Sequence, residues 1–329
     1  MSTLTASQPA AKRKRDGEPE TAAKPLVRSE IWFHDGNIVL QADRTQFKIY
    51  QGLLSANSTV FADMFLVPQP PPSGGELVEG CAVVHLSDSA IDVTYVLEAL
   101  CKRSHVTINE PVSIAIVAAF VRLGQKYQID AVLSEALKRL YHEFPVELED
   151  YDINNCWAMI SNSDCILIDV ANLAREQNLL SVLPLALECC SREDSDFLVK
   201  GVKREGHSVT LSPADERMVF AANDPLLRLQ STTTFSWLTA DGPDECEAPD
   251  DCNNGRNQIL RDSFFPCSLY ASLATWDQEW EEYTICDECL AKAKGLHASG
   301  RQRYWDNIPS IFGLPGWEEL KKERVLSNI

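Results

Sequence analysis

The residues best suited to chemistry are cysteines in the last third of the chain. Cys246 and Cys252 flank five residues in the acidic stretch Asp244-Glu245-Cys246-Glu247-Ala248-Pro249-Asp250-Asp251-Cys252, and Cys286-Asp287-Glu288-Cys289 follows. C-x2-C is the spacing at which two thiolates grip one ion, so the two pairs together offer the four sulfurs of one structural zinc. The first pair is wider than the usual knuckle, and Cys267 and His297 are substitute ligands. A long insert between the pairs costs little, because loop-closure entropy grows slowly with length. The competing reading is a partly buried pair of free thiols at a helix start. The polar, acidic setting of these four cysteines speaks against apolar packing, which explains most buried thiols. Redox use of Cys286 and Cys289 would need a preceding strand in a βαβ setting, which the sequence does not offer.

Other chemistry is hard to find. The sequence contains no G-x-x-x-x-G-K-[ST], G-x-G-x-x-G after a strand, H-E-x-x-H or G-x-S-x-G, and its six histidines are scattered without metal spacing. The expectation is a non-enzymatic protein with no catalytic residue. Trp276, Trp280, Tyr283, Tyr304, Trp305, Phe312 and Trp317 form a dense aromatic group mixed with Asp277, Glu279, Glu281 and Glu282. Base stacking would call for Arg and Lys around such rings, so a small aromatic core beside the cysteine loops is the better reading.

With 48 Asp plus Glu against 30 Lys plus Arg, the 329-residue chain carries a formal charge of -18, which repels phosphate backbones. Direct nucleic-acid binding is disfavoured. Hydrophobic residues at 45% and charged residues at 24% fit a globular protein of about two domains. No window reaches the roughly 18 to 20 apolar residues of a membrane span, and no signal-peptide run opens the chain. The expectation is therefore a soluble intracellular protein, nuclear or cytoplasmic. Eleven cysteines without a secretory signal read as thiols or metal ligands rather than disulfides, with Cys101, Cys156, Cys165, Cys189 and Cys190 as small apolar residues in helical stretches. Residues 1–28 form a disordered tail in which Lys12-Arg13-Lys14-Arg15 matches the simplest nuclear-import signal.

The elements that must position these groups begin with a hairpin. Ile38-Val39-Leu40-Gln41-Ala42 and Gln46-Phe47-Lys48-Ile49-Tyr50 read as its strands, reversed at Asp43-Arg44-Thr45. Two short helices follow, the second capped by Ser58 and carrying Val60, Phe61, Met64 and Phe65 at helical spacing. A surface loop at Pro68-Gln69-Pro70-Pro71-Pro72-Ser73-Gly74-Gly75 precedes a third strand, Cys81-Ala82-Val83-Val84-His85-Leu86. A helix starts near Ser89, residues 112–123 form a helix apolar nearly all round, and a third carries Val132 to Tyr141 and stops at Pro145. Residues 152–192 read as helices at 156–160, 166–177 and 184–190, and residues 199–209 as a loop or hairpin. Ser212-Pro213-Ala214-Asp215 then starts a helix running towards Arg228.

This order, and the phrase Phe47-Lys48-Ile49-Tyr50-Gln51-Gly52-Leu53-Leu54-Ser55-Ala56-Asn57-Ser58-Thr59-Val60-Phe61-Ala62-Asp63-Met64-Phe65, resembles the signature of the BTB/POZ family. It departs at Tyr50 and Gln51, where His-Arg is usual, and at Asn37, where Asp is usual. The C-terminal run from Arg303 to Leu320 resembles the tail of a fungal type of BTB protein. The resemblance implies an α+β fold with a small three-stranded sheet covered by helices at 29–145 and a helical extension at 146–200, and the residues at 201–329 read beside it as a mainly α-helical region that carries the candidate zinc site. It also implies protein–protein interaction, with self-association through Leu53, Leu54, Phe61, Met64 and Phe65 as candidate interface residues, although core is the stronger reading for any one of them. Two further roles go with it: substrate adaptor of a cullin ubiquitin ligase, or nuclear transcriptional regulator. No receptor repeat and no C2H2 finger spacing accompany either.

Overall fold

The structure, a computed structural model, describes residues 25–67, 76–106, 110–154, 157–163, 166–204, 207–265 and 272–326. The basic run Lys12, Arg13, Lys14 and Arg15, the proline-rich loop, Cys156, Cys165 and Cys267 lie outside them.

The chain opens on β1 (Val27–Trp32), then the expected hairpin β2 (Ile38–Ala42) and β3 (Thr45–Ile49), with Leu40 opposite Phe47. Asp43 takes the positive φ of 48° that this tight reversal needs, and its carboxylate accepts the Ala90 N–H at 2.8 Å, tying the turn to a later helix. The helix pair follows as α1 (Gln51–Asn57) and α2 (Thr59–Leu66). Ser58 caps α2 by accepting the Phe61 N–H. Asn37 Oδ1 accepts the Gln51 N–H at 2.8 Å and fixes the corner between β3 and α1.

Next come β4 (Leu77–Val78) and β5 (Cys81–Leu86). The sheet has five strands in the order β1-β3-β2-β5-β4, not three. β1 lies parallel to β3, and β4 is a two-residue antiparallel addition to β5. Both escape sequence reading because β1, Val-Arg-Ser-Glu-Ile-Trp, lacks alternation and β4 is too short to show a period.

Three helices follow: α3 (Ala90–Lys102), capped by Ser89 and packed on β1 and β2; α4 (Ile114–Tyr127), buried nearly all round against α3; and α5 (Asp130–Glu143), packed on α4. Then follow α6 (Leu148–Ile153), α7 (Ile166–Glu176), α8 (Leu183–Cys190) and α9 (Ser195–Lys200). The helix expected at 156–160 is absent among its described residues: 157–160 is a turn whose Ile160 bridges Val112. The physical reason is Glu143, whose carboxylate accepts the N–H groups of Trp157, Met159 and Ile160 and so satisfies the donors that a helix would have used.

The hairpin β6 (Val202–Arg204) and β7 (His207–Val209) leads to α10 (Pro213–Thr232), capped by Ser212. A short 3-10 turn at Ser236–Leu238, α11 (Pro249–Phe264), a second turn at Gln278–Glu282, α12 (Asp287–Ile311) and α13 (Trp317–Leu326) follow among the described residues. One hydrophobic core runs from Ile31 to Leu320 and crosses the boundaries expected at 145 and 200. A smaller core joins Phe235, Trp237, Leu238, Ile259, Trp280 and Ala293. The expected aromatic group is split between them: Trp276, Trp280 and Tyr283 belong to the small core, whereas Tyr304, Trp305, Phe312 and Trp317 belong to the large one. α12 passes through both.

Candidate metal centre

Two helix starts and one turn build the site. Pro249 opens α11 from its first turn, where its missing N–H costs nothing, and sets Cys252 just inside the helix, its N–H donating to the Ala248 carbonyl at 3.0 Å. Cys246 sits in the preceding turn, its N–H donating to Pro243. Cys252 therefore lies on a helix rather than in the loop expected for the whole segment. Cys286 is the extended N-cap of α12, and Cys289 lies one turn further on, so C-x2-C here is the pitch of a helix start presenting two sulfurs to the same side. The Lys292 ammonium donates to the Gly242 carbonyl at 3.3 Å and holds the Cys246 turn against α12.

The four Sγ atoms lie within 4.8 Å of one another. Cys246 is 3.8 Å from both Cys252 and Cys286. A tetrahedral ion with metal–sulfur bonds of about 2.3 Å separates its sulfurs by about 3.8 Å, so the spacing suits a shared ion. All four are free thiols; Cys252 and Cys289 are 2% exposed, and Cys246 and Cys286 are half-buried.

Electrostatics favour thiolate here, the form in which cysteine ligates a metal. The Cys286 N–H donates to Cys252 Sγ at 3.2 Å, and the positive ends of two helices face the cluster. The backbone N–H of Cys289 holds the Cys286 thiol below its ordinary range, while burial pushes Cys252 and Cys289 up. Buried thiols that ionise poorly by themselves are what a divalent metal overcomes, since its ligands lose their protons as it binds. Outside the sulfurs stand exposed acids, among them Asp244, Glu247, Asp250, Asp251, Asp287 and Glu288, a rim hostile to phosphate.

His297 is not a ligand. It lies further along α12, with ring centroids 5.5 Å from Trp276, 5.7 Å from Trp280 and 5.9 Å from Phe235. Phe235 and Trp237, which complete this aromatic wall, were not singled out by the sequence, because they sit in an irregular corner with no helical or strand period. Burial, reinforced by the charge of Arg301, pushes the His297 imidazole down to about 4, and its Nε2 has no hydrogen-bond partner among the described residues. The unfolded chain, with an ordinary histidine near pH 6.5, binds more protons than the native state between about pH 4 and 6.5. The stability contribution is thus whole above about pH 6.5 and falls away towards pH 4, amounting to about 3 kcal/mol across that window. Urea denaturation at pH 7 and at pH 4.5 should show this loss in the wild type, and His297→Phe should remove most of it.

Of the interface candidates, Leu54 and Phe61 are buried within the chain at 1% and 3% exposure, in keeping with the core reading. The helical period that makes a stripe apolar does not say whether it faces inwards. Leu53, Met64 and Phe65 are half-buried, with Met64 and Phe65 packed on the main core. Leu66 and Val67, at the end of α2, are the exposed apolar pair there, 80% and 60% accessible.

Fold and site together define an α+β protein with a four-thiol cluster joining two helix starts. No known family model matches the chain, and no curated protein matches it. Among the described residues, no helix is long and apolar enough to cross a membrane.

Proposed function

We propose that this chain is a non-enzymatic protein-interaction protein of the BTB/POZ kind, and that its four cysteines hold one structural zinc. The observation that carries the first part is the fold of residues 47–65. The phrase that resembles the family signature forms β3, α1 and α2 in the implied order, and ends in the exposed pair Leu66 and Val67. Apolar residues left at a helix end beside half-buried Phe65 suit a protein partner or a second copy of the chain. The 3.8 Å sulfur spacing supports the second part.

The full chain is the proper reagent for a test. Arg324 of α13 donates to the carbonyls of Phe144 and Ser181, and the Trp305 indole donates to the Val146 carbonyl, so the N-terminal unit is tied to the C-terminal helices. Light scattering of the purified full chain should give twice the chain mass, and Leu66→Asp should yield a monomer with an unchanged melting temperature. A cullin recovered from extract with the wild type and lost with Leu66→Asp would assign the ligase-adaptor role. A wild type that stays monomeric at high concentration and retains no protein that Leu66→Asp fails to retain overturns the reading.

A further inference from the structure

We propose, on the zinc reading above, that Cys246 and Cys286 are a modification site at which a neutral hydroperoxide closes a disulfide and so opens the metal centre. The four sulfurs are not equivalent. Cys252 and Cys289 are 2% exposed, whereas Cys246 and Cys286 are half-buried and keep part of their surface in solvent. The two that solvent reaches are also neighbours: Cys286 Sγ lies 3.8 Å from Cys246 Sγ, so an S–S bond of about 2.05 Å needs them about 1.8 Å closer. Cys246 can supply that movement. It sits in a turn outside any helix or strand, while Cys252 and Cys289 lie within helices and Cys286 caps one. The turn is held by the local bond from the Cys246 N–H to Pro243 and by the 3.3 Å reach of the exposed Lys292 to Gly242.

Cys246 lies 3.8 Å from Cys252 as well, but that sulfur is closed to solvent and accepts the Cys286 N–H at 3.2 Å. The oxidisable pair therefore spans the two arms of the site and is not the C-x2-C pair. As metal ligands the sulfurs are thiolates already, so no proton has to leave before attack. The exposed acids around the cluster, among them Asp244, Glu247, Asp287 and Glu288, repel anionic oxidants and leave an uncharged hydroperoxide as the reagent.

The Cys286 thiolate attacks one peroxide oxygen, the O–O bond breaks, and the departing hydroxide takes a proton to become water, leaving a sulfenic acid. The Cys246 thiolate then attacks that sulfur. The S–S bond forms as the S–O bond breaks, and the second hydroxide leaves as water. Two thiolates, one hydrogen peroxide and two protons become one disulfide and two waters, the sulfurs losing the two electrons that the peroxide gains. Cys252 and Cys289 remain, too few to close a tetrahedral site.

The test treats the full-length protein, purified without chelator and with its zinc measured first, with limiting hydrogen peroxide, then blocks the remaining thiols with iodoacetamide. Proteolytic cleavage at Glu247 and Asp250 parts Cys246 from Cys252, and cleavage at Asp287 and Glu288 parts Cys286 from Cys289, so each pairing gives its own cross-linked fragment by mass spectrometry. No variant is needed. The Cys246–Cys286 fragment should be the predominant bridge, most of the zinc should be released in step with it, and dithiothreitol with added zinc should reverse both. Cys101, half-buried on α3, should stay reduced as the internal control. Zinc missing before any peroxide is added is the failure of the zinc reading, and this proposal falls with it. Zinc present at the start but retained as the bridge forms, four thiols that stay reduced, or bridges through Cys252 or Cys289 in equal yield overturn this proposal alone.

Discussion

Full-length protein purified without chelator should contain close to one zinc per chain, and Cys252→Ser or Cys289→Ser should lose it. These two thiols are the buried members of the cluster, so each variant removes a sulfur that water cannot easily replace. Three thiols left around an ion bind it far more weakly, and the apparent free energy of structural zinc, about 10 to 16 kcal/mol in finger peptides, shows how much a closed site can contribute to folding. The loss here should be partial, because among the described residues the large core from Ile31 to Leu320 is built without the four cysteines. Chelation should loosen the small core around Trp237 and Trp280, together with the first turns of α12. Tyr304, Trp305 and Ile308, further along the same helix, are anchored in the large core and should hold. Near-ultraviolet circular dichroism should therefore fall while far-ultraviolet helix signal mostly persists. Zinc-free wild-type protein with an unchanged near-ultraviolet spectrum would exclude the metal.

Two glycines on α12 should respond to the same substitution with opposite sign. A Cβ on Gly300 would lie 2.2 Å from the Thr233 carbonyl oxygen and 2.8 Å from Thr234 Cα. Both are backbone, and the corner that carries them is held by the Thr234 hydroxyl donating to the Ser272 carbonyl. The next residue, Arg301, donates to Leu273 and pairs with Asp152, so α12 cannot slide to make room. Overpacking against unyielding backbone costs about 1 to 3 kcal/mol and sometimes more, and Gly300→Ala should fall at or above the upper end. Gly295 is exposed with nothing near its would-be Cβ, and there the helix simply gains a better helix former. Gly295→Ala should stabilise by up to about 1 kcal/mol. Urea midpoints of the two variants measured beside wild type decide the matter, and a similar shift for both would show that α12 packs elsewhere.

What could be read in the chain alone was local. The hairpin was legible because two apolar runs flank a turn at Asp43, and the starts of α2, α3 and α10 were legible because Ser58, Ser89 and Ser212 each stand before an apolar period. These are interactions between residues a few positions apart, and spacing encodes them directly. The four cysteines were legible by type and by C-x2-C pitch, and the four expected to converge do converge.

Tertiary packing decided the rest. β1 joins the sheet by pairing parallel to β3, a partnership that a strand without alternation cannot announce. Whether Leu53 or Leu54 faces the core depends on where α1 is laid, and the structure buries the second and leaves the first half-open. Residues 157–160 turn rather than coil because a carboxylate from α5 arrives to take their N–H groups. Cys252 and Cys286, 34 positions apart, meet because α11 and α12 begin side by side, and Gly300 is irreplaceable only because the Thr233 carbonyl is packed on it. Spacing along a chain specifies which residues share a turn of helix or a face of a strand. Which faces meet is a property of the packed whole, where burial, close approach and hydrogen-bond satisfaction are settled together.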